Sequence, residues 1–142
     1  MVKQRIIGID FGTRRVGVAM ADPLRLFSQP VGTFDPDLAI EKLVEIFDDC
    51  GIECIVMGWP VLPDGGEGRA SRRVEEYMGR IRNRLPEIRI VKWNEEYTSE
   101  IAKEMIASGE KPSMRHTGRE RIDAAAAAVI LQEFLDQGNT IA

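Results

Sequence analysis

Two apolar runs, Ile6–Phe11 and Val16–Ala21, are separated near the start of the chain by only four residues, Gly12-Thr13-Arg14-Arg15. This spacing constrains the fold more than any other feature. The four residues read as a tight connection, and the two runs as paired strands of a hairpin. Ile6, Ile7, Ile9 and Phe11 give the first strand the pattern of one buried on both faces, yet Asp10 sits among them. A lone carboxylate in such a place is costly unless a cation or hydrogen bonds compensate it. The question is what Asp10 is charged for.

The rest of the chain extends the hairpin into a layered domain. A third strand is expected over Gln29–Phe34. Asp35-Pro36 then supplies an N-cap and a proline at the first helical position. Ile40, Leu43, Val44 and Phe47 follow at helical spacing, predicting an amphipathic helix over 36–50. Ile52–Met57 reads as a strand ending at Gly58-Trp59-Pro60, and PDGGEG after it as loop. Val74, Tyr77, Met78, Ile81 and Leu85 predict a helix over about 68–85, ended by Pro86, with a strand at Ile88–Trp93. Thr98 or Ser99 caps a further helix through Ile101, Met105 and Ile106, stopped at Ser108-Gly109. A basic loop, Lys111–Arg121, carries the only histidine, His116. A last helix over about 118–137 presents Ile122, Ala126, Val129, Ile130 and Phe134, and its alanines let it lie close to a sheet. Hairpins first and crossovers later predict an α/β fold, one domain over 1–142, with a mixed five-stranded sheet and helices on both faces.

Composition sets outer limits. The 142 residues suffice for one ordinary core, and no apolar run approaches the ~20 residues that span a bilayer. The opening MVKQRIIGID shows no signal peptide, so the expected compartment is the cytoplasm, with no membrane partner. Cys50 and Cys54 lack a second pair or a nearby histidine and read as buried free thiols. The net charge of -4 is unevenly spread. Asp35–Glu53 holds seven acids and one lysine, whereas Arg69–Lys92 holds eight bases and three acids. Either this is solvated helix surface or the basic stretch faces a polyanion. On the second reading Arg14, Arg15, Arg69, Arg73, Arg80 and Arg121 contact phosphates, and the acidic helix faces away from them.

Ligand sites in open α/β sheets collect at strand ends. Asp10 on the first strand, Glu95 or Glu96 after the 88–93 strand, and Asp123 early in the last helix can reach one such place. Crowded carboxylates repel one another unless a hard cation sits among them, which points to Mg²⁺ or Mn²⁺. The alternative is that all but Asp10 are solvated surface acids. His116 could assist proton transfer or touch a phosphate, and Trp59 and Trp93 could stack on a base, although half-buried packing suits both tryptophans better.

GIDFGTRRVGVAMAD, the Gly58-Trp59-Pro60 step with its DGGEG, WNEEYTS and RIDAAAAAVILQEFLD follow one another along nearly the whole chain. Together they resemble the YqgF/RuvX family, RNase H-fold proteins related to Holliday-junction resolvases. The resemblance implies an RNase H-like three-layer fold. It also implies a nuclease that matures the 5′ end of the 16S ribosomal RNA precursor, with structured RNA or branched DNA as partner. The family's catalytic and metal-binding acids fall on Asp10, on Glu95 and on Asp123. At the segment around Glu95 the chain departs from the family, whose Asp and Arg positions read Asn94 and Glu96 here. Two other readings share these motifs. GIDFGT also resembles the phosphate loop of actin-like ATPases, but those close two such subdomains around a nucleotide. A non-catalytic RNA- or DNA-binding factor with a degenerate site is the other.

Overall fold

The structure, a computed structural model, describes residues 4–60, 68–94 and 118–141, with side chains of the last segment described over 124–137. Strands β1 (Arg5–Phe11), β2 (Val16–Ala21), β3 (Ser28–Phe34), β4 (Ile52–Trp59) and β5 (Arg89–Asn94) form one sheet in the order β3-β2-β1-β4-β5. The three strands from the hairpins pair antiparallel, whereas β4 and β5 join β1 in parallel. Helices α1 (Pro36–Cys50) and α2 (Arg69–Arg84) follow β3 and β4, and α3 (Gly118–Ile141) comes last. The expected mixed five-stranded sheet is therefore present. The helix expected over 99–106 lies outside the described residues.

Alternation along β1 explains why an almost continuous apolar run was needed there. Ile7 and Ile9 pack with Leu43 of α1 and with Val74, Met78 and Ile81 of α2. Ile6, on the opposite face, packs with Ala127, Ile130 and Leu131 of α3. Gly8 belongs to this second face, because a Cβ there would stand 2.8 Å from both the Ala127 carbonyl oxygen and the Leu131 Cβ. Helices thus cover both faces, and β1 is the central strand. Asp35 caps α1 as the sequence predicts, its carboxylate accepting from the Asp37 amide at 2.9 Å. Both cysteines are free, but only Cys54 is buried. Cys50 is half-buried instead, because it ends α1 at the surface, where its thiol donates to the Ile46 carbonyl at 3.5 Å. Among the described residues no helix is long and apolar enough to cross a membrane.

Within the β2–β3 connection, one side chain gathers three backbone amides. The Asp22 carboxylate accepts from the amides of Phe27 at 2.7 Å, Leu26 at 2.8 Å and Leu24 at 3.1 Å. These bonds, the one from Phe27 foremost, hold its pKa below the ordinary 3.8. A carboxyl whose pKa is depressed by folding adds stability above its unfolded pKa and loses it as pH falls through the folded value. Asp22→Asn is therefore expected to lower the melting temperature by a few degrees at pH 7. Melts repeated in acid should show the difference from wild type shrinking as pH drops below 3.8.

Candidate active site

Because β1, β4 and β5 run the same way, their C-terminal ends meet at one pole of the sheet. Ile9 pairs with Met57, and Gly58 pairs with Trp93, so Asp10, Gly58 and Trp93 stand at about one level. The antiparallel neighbour of Asp10 on β2 is Gly17. Asp10 is thus flanked across the sheet by two residues without side chains. The fully buried stretch of β1 ends at Ile9; Asp10 is half-buried, at the place where the sheet opens to solvent. Alternation puts it on the face of Ile6 and Gly8, which is the α3 face.

Of the other candidate acids, Asp123 is placed by its backbone alone. Asp123 lies in α3 one turn ahead of Ala127, the residue whose carbonyl approaches Gly8. Asn94 ends β5, two strands from β1 and so about 10 Å away across the sheet. Glu95 and Glu96 follow it and lie outside the described residues, as do His116 and the loop before α3. The side chains of Asp123 and Arg121 are also outside the description. Among the described residues no three acids, histidines or cysteines form a metal-binding group.

The hairpin carries cationic side chains to the same pole. Phe11 pairs with Val16, and the Gly12 amide donates to the Arg15 carbonyl at 2.9 Å to close the turn. A Cβ on Gly12 would stand 2.7 Å from that carbonyl oxygen, so only glycine allows so tight a link. Arg14 is exposed and Arg15 half-buried. α2 also begins at this pole, since Ser71 Oγ donates at 3.1 Å to the carbonyl of Pro60, the residue just after β4. Arg69 and Arg73 are exposed there, and a groove lined by Phe11, Thr13, Arg73 and Tyr77 joins α2 to the hairpin. The Tyr77 ring rests on Phe11 with centroids 4.6 Å apart, and its hydroxyl donates to the Pro36 carbonyl at 2.7 Å. Burial pushes this phenol far up from its ordinary pKa, so it stays a donor.

α2 packs on the sheet face opposite that of Asp10, with the acidic helix against part of its arginine stripe. α1 lies beside α2, and Asp37 pairs with Arg80 and Glu41 with Arg84. Each helix must bury an apolar stripe on the same sheet face, and that brings their opposite charges together. Both tryptophans are half-buried packing residues: Lys92 Nζ sits 4.0 Å from the Trp59 ring centroid, and Trp93 meets Phe134 edge-on at 5.9 Å. Trp93 Nε1 also donates to Glu133 at 2.9 Å, tying β5 to α3 beside the candidate site. Gly17, opposite Asp10, is a position that motif reading passes over. The hairpin register was its signal, because a turn over 12–15 sets residue 10 opposite residue 17.

A mixed sheet of this order, with an acid at the open end of its central strand and a helix across that face, defines an RNase H-like fold of the resolvase type. Thermus thermophilus RuvC in complex with a Holliday junction substrate superposes with a TM-score of 0.61 at 12% identity, covering 95% of this chain and 96% of that one. The chain belongs to the RuvX family, described as Holliday junction resolvase, whose model matches residues 4–137. A relative from Salinibacter ruber is 48% identical over 94% of this chain and 93% of its own length. One from Chlorobaculum tepidum is 40% identical over 94% of each. Both carry the name "Putative pre-16S rRNA nuclease".

Proposed function

We propose that this chain is a cytoplasmic, single-domain, metal-dependent nuclease that trims the 5′ end of the 16S ribosomal RNA precursor. The observation that carries the reading is the setting of Asp10. It stands half-buried at the C-terminal pole of three co-directional strands, on the α3 face, between Gly17 and Gly58 of the neighbouring strands. A carboxylate oxygen at such a strand end suits Mg²⁺ or Mn²⁺ rather than a softer ion. Asp10, Glu95 and Asp123 would hold the metal, which when bound activates water and stabilises the leaving oxygen of a phosphodiester. Asp10 supplies charge from the central strand, and α3 brings Asp123 toward the same face. Arg14, Arg15 and Arg121 would grip the phosphates on either side of the scissile bond, with Arg69 and Arg73 farther along the strand. The substrate comes from the relatives' shared name, and a branched DNA is the other candidate that the family description suggests.

The test is incubation with a structured RNA carrying the 16S leader, a four-way DNA junction and linear strands, each with Mg²⁺, Mn²⁺ or EDTA. Cleavage of the RNA with metal and none in EDTA is the expected result. The replacement of the family's Arg by Glu96 favours a second reading, a binding factor without turnover. Tight RNA binding that survives EDTA, with no cleavage under any condition, would select it. Within the acidic site, Glu95→Gln should remove activity, whereas Glu96→Gln should retain it or raise it by easing repulsion of phosphate. The reverse pattern in a cleavage assay would move the metal ligand to Glu96.

A further inference from the structure

Arg69, Arg73, Arg80 and Arg84 recur along α2 at spacings of four, seven and four, so they fall on one ridge about 22 Å long. Such a ridge could follow several phosphates, but α1 treats its two halves differently. The helices run in the same direction, and the pairs Asp37–Arg80 and Glu41–Arg84 advance by one turn on each. Arg84 meets Glu41 through both guanidinium nitrogens, the second at 3.3 Å. In this register the position opposite Arg73 would precede α1, which starts only at Pro36. The first turns of α2 therefore project beyond the acidic helix, toward the hairpin pole. Among the described residues, Glu76 is the one acid that lines the groove beside Arg73.

We propose that α1 masks the inner half of the basic ridge, so that Asp37 and Glu41 end the nucleic-acid footprint and confine backbone contacts to Arg69, Arg73 and the hairpin. This deepens the nuclease reading and rests on it, because it presumes a polyanion along the hairpin pole. The masking serves specificity. Backbone contacts bind every sequence alike, so a shorter ridge lowers affinity for RNA that cannot also fit the acidic site. The two acids then act as a boundary rather than as stability elements, since exposed ion pairs contribute little to folding.

Asp37→Asn/Glu41→Gln is the test, read as affinity against salt for a linear single-stranded RNA in EDTA. Two arginines released to phosphate should steepen the log–log salt slope by about 1.4 and tighten binding roughly fivefold per contact near 0.1 M salt. Adding Arg80→Ala/Arg84→Ala to that variant should abolish the gain, while the same alanines in the wild-type background should change binding little. Arg69→Ala/Arg73→Ala should weaken binding and flatten the slope in either background. If wild type binds and loses affinity with the Arg69/Arg73 pair, but the Asp37/Glu41 variant keeps its slope, the masking inference is wrong and the nuclease reading stands. If a well-folded wild type binds neither RNA nor DNA, both fall together. Circular dichroism and melting temperature, expected to be unchanged in each variant, show that the readout is charge and not unfolding.

Discussion

Asp10→Asn is expected to abolish cleavage while leaving the melting temperature close to that of wild type. The substitution keeps the shape of the side chain and removes only its charge. The position is half-buried, and its cross-strand neighbours Gly17 and Gly58 bring no side chain that the amide could crowd. In the proposed site, Asp10, Glu95 and Asp123 repel one another when no metal is bound, so removing one charge should not lower stability. Catalysis is different. A hard cation is held by full negative charges, and an amide oxygen in place of one of them weakens its grip and its hold on the activated water. A loss of at least about 10³-fold in single-turnover rate is expected, which corresponds to ~4 kcal/mol of transition-state stabilisation. Mn²⁺ titration followed by calorimetry should show the affinity falling in parallel. Cleavage by Asp10→Asn at the wild-type rate would remove Asp10 from the chemistry and with it the proposed mechanism.

Much of this fold was legible because the local signals agree with the tertiary structure. The four-residue link between β1 and β2 forced a hairpin, Asp35-Pro36 marked the start of α1, and the apolar run in β1 announced burial on two faces. Asp10 stood out for the same reason, as a charge where alternation called for none. What could not be read was the arrangement of elements around the sheet. Charge asymmetry identified α1 as acidic and α2 as basic. It did not reveal that both bury their apolar stripes on one face and so neutralise each other at Arg80 and Arg84. Periodicity gives the buried side of a helix, but which neighbour it lies beside depends on strand order, here set by the crossovers through β4 and β5. Gly17 escaped for a related reason. A glycine in a strand reads as a weakness until register places it opposite a functional acid.

Gly8→Ala and Gly79→Ala should shift stability in opposite directions, although each adds a single methyl group. At Gly8 the new Cβ would stand 2.8 Å from the Ala127 carbonyl oxygen and from the Leu131 Cβ. Neither is the flexible tip of a side chain, so α3 itself must move off the sheet. Overpacking of this kind costs about 1–3 kcal/mol, and more where backbone is the obstacle. At Gly79, inside α2, an added Cβ meets nothing within 4 Å. Alanine there should stabilise by about 0.5–1 kcal/mol, the helix-interior penalty that glycine carries. Urea denaturation of the two variants beside wild type reads both signs. The two should differ in activity as well. Ala127 is one turn from Asp123, so a shift of α3 away from Gly8 also separates that acid from the Asp10 end of β1. Gly8→Ala should therefore lose cleavage beyond its loss of folded protein, measured with the folded fraction held equal at low temperature. Gly79→Ala, on the opposite face of the sheet from the acids, should cut like wild type. A Gly8→Ala protein that is both as stable and as active as wild type would mean that α3 does not rest on β1, and the proposed grouping of Asp123 with Asp10 would lose its structural basis.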